Sequence, residues 1–266
     1  MALDLNSIVL RVAHLARSVE FYTQRLGFVA IRQTAGQAEL AAAPNSPVLL
    51  TLLDAPAAPA APRDAAGLFH SALLFPSRAA LGGWWRFAAE NRVDFDGFSD
   101  HGVSEAIYLS DPDGNGLEFY ADRPRDTWPF AANGEVAMTT LALDVPSLLA
   151  AATLPAQQPV LAGAHWGHLH LRVTDLGVSE SFYRKHLSMV VTQSTYPGAR
   201  FLAADGYHHH LGLNTWGEPR RPQPSNALGL AEATFVGSQR LHDAHLADPD
   251  GIRLQLLAAR PEGGNN

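Results

Sequence analysis

The chain has no cysteine among its 266 residues. Disulfides, thiolate zinc sites and a cysteine nucleophile are therefore excluded, and any metal must be held by nitrogen and oxygen donors. No apolar run approaches the roughly 18 residues that span a bilayer; the run from Leu148 to Leu154 stops at Pro155. The opening MALDLNSIVL lacks a basic segment followed by an apolar one, so no secretory leader is expected and a cytoplasmic location is the default. A basic cluster is missing too. With 19 Lys and Arg against 26 Asp and Glu, the formal charge is −7. Phosphate neutralisation needs grouped cations, so neither a nucleic-acid nor a membrane partner is expected, which leaves small-molecule chemistry. Hydrophobic residues make up 47% of the chain, and its length allows one large domain or two small ones.

What the sequence does contain is a duplication. LRVAHLARSVEFYTQRLGFV (10–29) lies over LRVTDLGVSESFYRKHLSMV (171–190) with Leu, Arg, Val, Leu, Ser, Phe, Tyr, Leu and Val matched in place. Each copy reads as a strand, a short link through His or Asp, and an amphipathic helix whose Phe-Tyr pair faces the core. The pattern recurs within each copy, giving four units at about 5–53, 67–122, 165–216 and 227–258, the last with much of its helix shed. APAAPAAPR (55–63), residues 123–164 and GEPRRPQPSN (217–226) have linker composition. Expected, then, is an α+β fold: four βαβββ-type modules forming two curved mixed sheets. The expected division is an N-terminal domain (5–122, modules one and two), a connector (123–164) and a C-terminal domain (165–258, modules three and four).

Strand parity locates the chemistry. If DPDGN (111–115) is a five-residue hairpin loop, Tyr108 falls opposite Glu118 and shares its face of the sheet, with Ala106, Ser110 and Tyr120. His70 sits in the apolar strand GLFHSALLF. GHLHL puts His168 and His170 two apart, and YHHHLGL does the same with His208 and His210. A lone strand histidine is usually an ordinary core or surface residue, and DPDG alone is good turn chemistry. The distribution over matched copies says more. His168, His170 and His210 correspond to Ser7, Val9 and Leu49 in the first module. Glu232 stands at the place of His70, and Gln255 at that of Glu118. Modules two and three are loaded, whereas one and four are blank, as expected if one site is assembled from the loaded pair. That site holds His70, Glu118 and one of His168 or His170. Two neutral imidazoles and a carboxylate form the facial set that suits non-haem Fe(II), with positions left open for substrate and dioxygen.

The four-module layout, together with G-H-L-H-L, H-H-L-G-L, L-F-H-S-A and the run His101, Tyr108, Glu118, resembles the vicinal oxygen chelate superfamily. Within it the chain is similar to the catechol 2,3-dioxygenase-like extradiol enzymes. The resemblance implies His70, His168 and Glu118 as ligands of Fe(II), with Mn(II) as the alternative ion. It implies His210 as an acid/base histidine, Tyr108 as a hydrogen-bonding partner of a substrate oxygen, and His101 as a histidine behind it. The implied partners are a catechol-type aromatic and O2. In many two-domain relatives both loaded modules lie in the C-terminal half, whereas here they straddle the connector. They must therefore meet either within one chain or across a homo-oligomer. Two rival readings share the fold. A glyoxalase I-like isomerase needs a fourth ligand, usually a carboxylate, where the third module ends in Leu211, Gly212, Leu213 and Asn214. A binding protein of the bleomycin-resistance kind gives no reason for the histidines to stay in phase. Phe98, Tyr196 and Trp216 are candidate aromatic walls, while Trp84, Trp85 and Phe87 are expected in the core.

Overall fold

The computed structural model describes residues 3–153, 159–237 and 244–259. The first module runs β1 (Leu3–Val12), α1 (Leu15–Glu20, continued by a π-helical turn Phe21–Arg25), β2 (Val29–Gln33), β3 (Gln37–Ala41) and β4 (Val48–Asp54). The second comprises β5 (Gly67–Leu74), α2 (Arg78–Glu90), β6 (Gly97–Asp100), β7 (Ser104–Ser110) and β8 (Gly116–Asp122). A short strand β9 (Leu141–Ala142) and helix α3 (Val145–Ala150) follow. The third module is β10 (His165–Arg172), α4 (Leu176–Leu187), β11 (Val190–Gln193), β12 (Ala199–Ala203) and β13 (Leu211–Asn214). Strands β14 (Gly229–Gly237), β15 (Ala244–Ala247) and β16 (Arg253–Ala258) form the fourth. Most of its expected vestigial helix falls in 238–243, outside the described residues.

The strands form a seven-stranded sheet, β15-β16-β14-β1-β4-β3-β2, and a nine-stranded one, β11-β12-β13-β10-β5-β8-β7-β6-β9. Each mixes parallel and antiparallel pairs. The seams cross the expected division at the connector. Antiparallel β1 and β14 join modules one and four, and antiparallel β10 and β5 join three with two. The loaded modules therefore meet within a single chain.

One hydrophobic cluster draws on all four modules, from Leu10 and Tyr22 through Trp84 and Trp166 to Phe235 and Leu254. Trp84 is fully buried, stacks on Phe119 at 4.0 Å and donates its indole N–H to Leu26 O at 3.0 Å. The expected core role of Trp84 holds, and Trp85 and Phe87 pack partly buried against the same cluster. In both helices the tyrosine of the Phe-Tyr pair is the fully buried member; Phe21 and Phe182 are only partly covered.

Residues 123–153 and 159–164 are more than a linker. β9 pairs with β6, Leu143, Leu148 and Leu161 enter the core, and α3 packs so close to α2 that a Cβ on Gly82 would stand 2.6 Å from Leu148 O. Apolar side chains spaced among Pro and Ala were enough to order a segment whose composition reads as spacer. Among the described residues no helix is long and apolar enough to cross a membrane.

Candidate metal centre

The floor of the site is built by three adjacent strands, β10, β5 and β8. The five-residue turn at Asp111 fixes the register of β7 on β8, and Tyr108 pairs with Glu118 as parity requires. β8 runs parallel to β5, with Glu118 beside Ala72. β5 is antiparallel to β10, which carries a register shift at Gly167 between Trp166 and His168. A Cβ at Gly167 would stand 1.8 Å from the Tyr120 hydroxyl oxygen. Only a glycine lets β10 approach this closely.

On this floor Glu118 Oε2 lies 2.9 Å from His70 Nε2 and 3.2 Å from His168 Nε2. One donor atom from each residue falls within 4.8 Å of the others. All three side chains are buried, with exposures of 6%, 2% and 1% for His70, Glu118 and His168. Burial raises the Glu118 carboxyl, but the imidazoles of His168 and His70 beside it outweigh that and hold the group well below its ordinary value. Burial drives His168 down to about 4, against the opposing pull of Glu118. An ionised carboxylate facing a neutral imidazole is the protonation state a divalent cation requires.

The orphaned atoms test whether a metal fits. His70 Nε2 is buried without a hydrogen-bond partner, although it is within 2.9 Å of the carboxylate oxygen. A buried imidazole nitrogen this close to a carboxylate oxygen with no hydrogen bond is a costly arrangement unless a cation satisfies both. The His/His/Glu donors suit a divalent first-row metal and leave part of its coordination sphere open. His170, the alternative to His168, is also buried, but it is not part of this donor set.

Above the floor lies a cavity of 480 Å³ lined by Phe69, Tyr108, His170, Tyr196, Phe201 and Trp216 among others. Tyr196 and Trp216 thus stand where aromatic walls were expected, whereas Phe98 is absent from the lining and packs against the core instead. His101 and Tyr108 lie together as expected. Thr139 O accepts from His101 Nδ1 at 2.6 Å, so Nε2 is the acceptor of the Tyr108 hydroxyl at 2.7 Å. Burial first, and then the charge of Glu118, keep the Tyr108 phenol well above its ordinary value, hence protonated.

The structure places His210 away from the three donors. Its ring lines a separate cavity of 220 Å³ with Leu5, Trp166 and Tyr207, and its Nδ1 accepts from Ala204 N at 3.2 Å. Burial, reinforced by His208 and His168, lowers it to about 3, and burial lowers His209 well below its ordinary value too, so position and not titration separates the two. The neighbour His209 occupies the main cavity instead, its ring centroid 4.1 Å from that of His168. β13 begins only at Leu211, so the three histidines lie in a loop where the alternation that groups His208 with His210 does not hold. Asp122 was also missed. It is two residues beyond Tyr120 on the face that carries Glu118, a signal the same parity already contained.

A family model described as the Glyoxalase/Bleomycin resistance protein/Dioxygenase superfamily matches residues 4–119. A curated Bacillus subtilis (strain 168) protein named catechol-2,3-dioxygenase is 43% identical over 231 residues, covering 85% of this chain and 80% of that protein. A solved structure from Bacillus subtilis subsp. subtilis str. 168 superposes with TM-score 0.65 at 11% identity, over 97% of this chain and 86% of that one. Glyoxalase I from Zea mays gives TM-score 0.57 at 16% identity, over 97% and 92%. At these identities the two structures speak for the fold alone.

Proposed function

We propose that this chain, which belongs to the glyoxalase/bleomycin resistance protein/dioxygenase superfamily, is an Fe(II)-dependent extradiol dioxygenase that opens a catechol-type ring with O2. The observation that carries the reading is the convergence of His70, His168 and Glu118, two of which, His70 and Glu118, line an aromatic-walled cavity. Its 43% identical relative bears a dioxygenase name. The described residues contain one such three-donor group and no fourth carboxylate beside it, which disfavours the isomerase alternative.

His70, His168 and Glu118 would hold the ion. When bound, Fe(II) supplies Lewis acidity toward two vicinal oxygens and the electron density that dioxygen chemistry needs. The protein's own residues do the rest. Phe69, Tyr196, Phe201 and Trp216 present ring faces and edges to a flat aromatic substrate and keep bulk water from it. The protonated Tyr108, anchored through His101 to Thr139 O, orients a substrate oxygen by hydrogen bonding. His209, in place of His210, takes a substrate hydroxyl proton and returns it as the ring opens.

The test is anaerobic reconstitution with Fe(II), metal quantification, and absorbance spectra after admitting air to catechol and substituted catechols. Expected are one iron per chain and growth of the visible band of a ring-opened semialdehyde. A chain that takes up no iron, or that leaves every catechol intact while holding iron, overturns the reading.

A further inference from the structure

His208 and the partly exposed Asp122 form a chain of hydrogen bonds that the metal donors do not use. Asp122 Oδ1 lies 3.0 Å from His208 Nε2, and the Tyr207 hydroxyl donates to the same oxygen at 3.3 Å. A carboxylate only accepts, so His208 Nε2 carries the proton and, in the neutral ring, Nδ1 is an acceptor. That Nδ1 lies 2.8 Å from Nδ1 of His209. His209 must therefore donate from Nδ1, and its Nε2 keeps a lone pair. His209 Nε2 has no hydrogen-bond partner among the described residues, and the ring lines the main cavity. His208 is fully buried, its ring 4.0 Å from that of Tyr207 and 5.2 Å from that of Trp128, so its orientation is held by packing.

We propose that Asp122 and His208 are positioning residues that fix the tautomer of His209, leaving Nε2 as the proton acceptor for the cavity's occupant. The inference rests on the reading that His209 takes a proton from a bound catechol. In that step the substrate O–H bond breaks and an N–H bond forms at His209 Nε2. The resulting positive charge lies against the lone pair of His208 Nδ1, with the Asp122 carboxylate behind it. A base oriented and stabilised by a third group is the arrangement that makes hydrolase triads effective. When the ring has opened, the proton leaves Nε2 for the product and the chain of hydrogen bonds is restored.

Two readouts test this separately from the overall function. In the full chain labelled with ¹⁵N-histidine and loaded with diamagnetic Zn(II), long-range ¹H–¹⁵N couplings identify the protonated nitrogen of His209. Nδ1–H with a bare Nε2 is expected in the parent protein, with this preference lost in Asp122→Asn and His208→Gln. With Fe(II), both variants should lose roughly 10- to 100-fold in kcat with KM little changed and iron content intact. Finding His209 protonated at Nε2 in the parent protein overturns the proposal, as does a parent-like kcat in both variants. If the parent protein with Fe(II) turns over no catechol, the functional reading fails, while the tautomer measurement still decides the role of Asp122 and His208. Should Asp122→Asn not fold, the parent spectrum and His208→Gln suffice.

Discussion

Replacing Gly167 by alanine should damage both the fold and the metal centre, and the damage can be sized. The new Cβ would stand 1.8 Å from the Tyr120 hydroxyl oxygen, 2.8 Å from its Cζ and 3.2 Å from Leu74 Cβ. Normal contacts need roughly 3.5 Å, so something must move by about 1.7 Å. Tyr120 is fully buried and its hydroxyl shares a 2.7 Å hydrogen bond with Tyr207. If the ring yields, that bond breaks; if β10 yields, His168 is carried away from Glu118. Overpacking costs about 1–3 kcal/mol and the lost hydrogen bond about 1 kcal/mol, against a gain of about 0.5 kcal/mol from a stiffer unfolded chain. A net loss of roughly 1.5–3.5 kcal/mol lowers Tm by about 3–14 °C in a chain of this size. Calorimetry with and without added metal should show that drop together with a reduced metal-dependent increase. Because the closest clash is with Oη, adding Tyr120→Phe should recover part of the loss, and the two substitutions should be non-additive. A Gly167→Ala protein that melts within about 1 °C of the parent and binds metal equally refutes the reasoning.

Other outcomes follow from the same geometry. Fe(II) at about 100 times its Kd should stabilise the chain by about 2.7 kcal/mol, raising Tm by about 5–10 °C; Glu118→Gln should abolish the increase, as read by calorimetry under argon. His209→Asn should lower kcat by roughly 10²–10⁴, whereas His210→Asn should leave kcat within about threefold of the parent, measured on the same catechol. Tyr22→Phe and Tyr183→Phe should each lose about 1–2 kcal/mol in denaturant titrations. The double variant should lose the sum, since the two hydrogen bonds share no partner.

The most legible parts of the structure were those governed by local rules. A five-residue turn fixes the register of β7 on β8, so Tyr108 and Glu118 were placed face to face from spacing alone. The matched helices were legible because each copy repeats the same apolar period. Pairing of β5 with β10 was not: their residues are about a hundred positions apart, and only packing of the assembled sheets decides which edges join. His209 was hidden because the three histidines precede β13, where backbone direction follows from the contacts of the loop and no period constrains it. The connector was misread because composition counts prolines and alanines, while burial of Leu143, Leu148 and Leu161 depends on what lies beneath them.

The duplicated turn shows how one element serves scaffold and site separately. In the second module Asp111 accepts from the Tyr22 hydroxyl at 3.0 Å and Asp113 from Ala13 N at 2.9 Å; in the fourth, Asp248 accepts from Tyr183 at 2.9 Å and Asp250 from Thr174 N at 3.1 Å. Both copies of the motif thus clasp the strand and helix of the preceding module, while the sheets join the modules in the other pairing. That role needs only the aspartates, which leaves the flanking strand positions free to diverge. In the blank sheet His245 and Gln255 still face each other, but His245 is exposed and Gln255 accepts from Thr234 at 3.2 Å. In the loaded sheet the equivalent pair is roofed by Met138, Thr139 and Thr140 of the connector and by His209 from its loop. A carboxylate open to water would bind a metal weakly and hold no substrate dry, so a site could persist only where the connector and the histidine loop cover the floor.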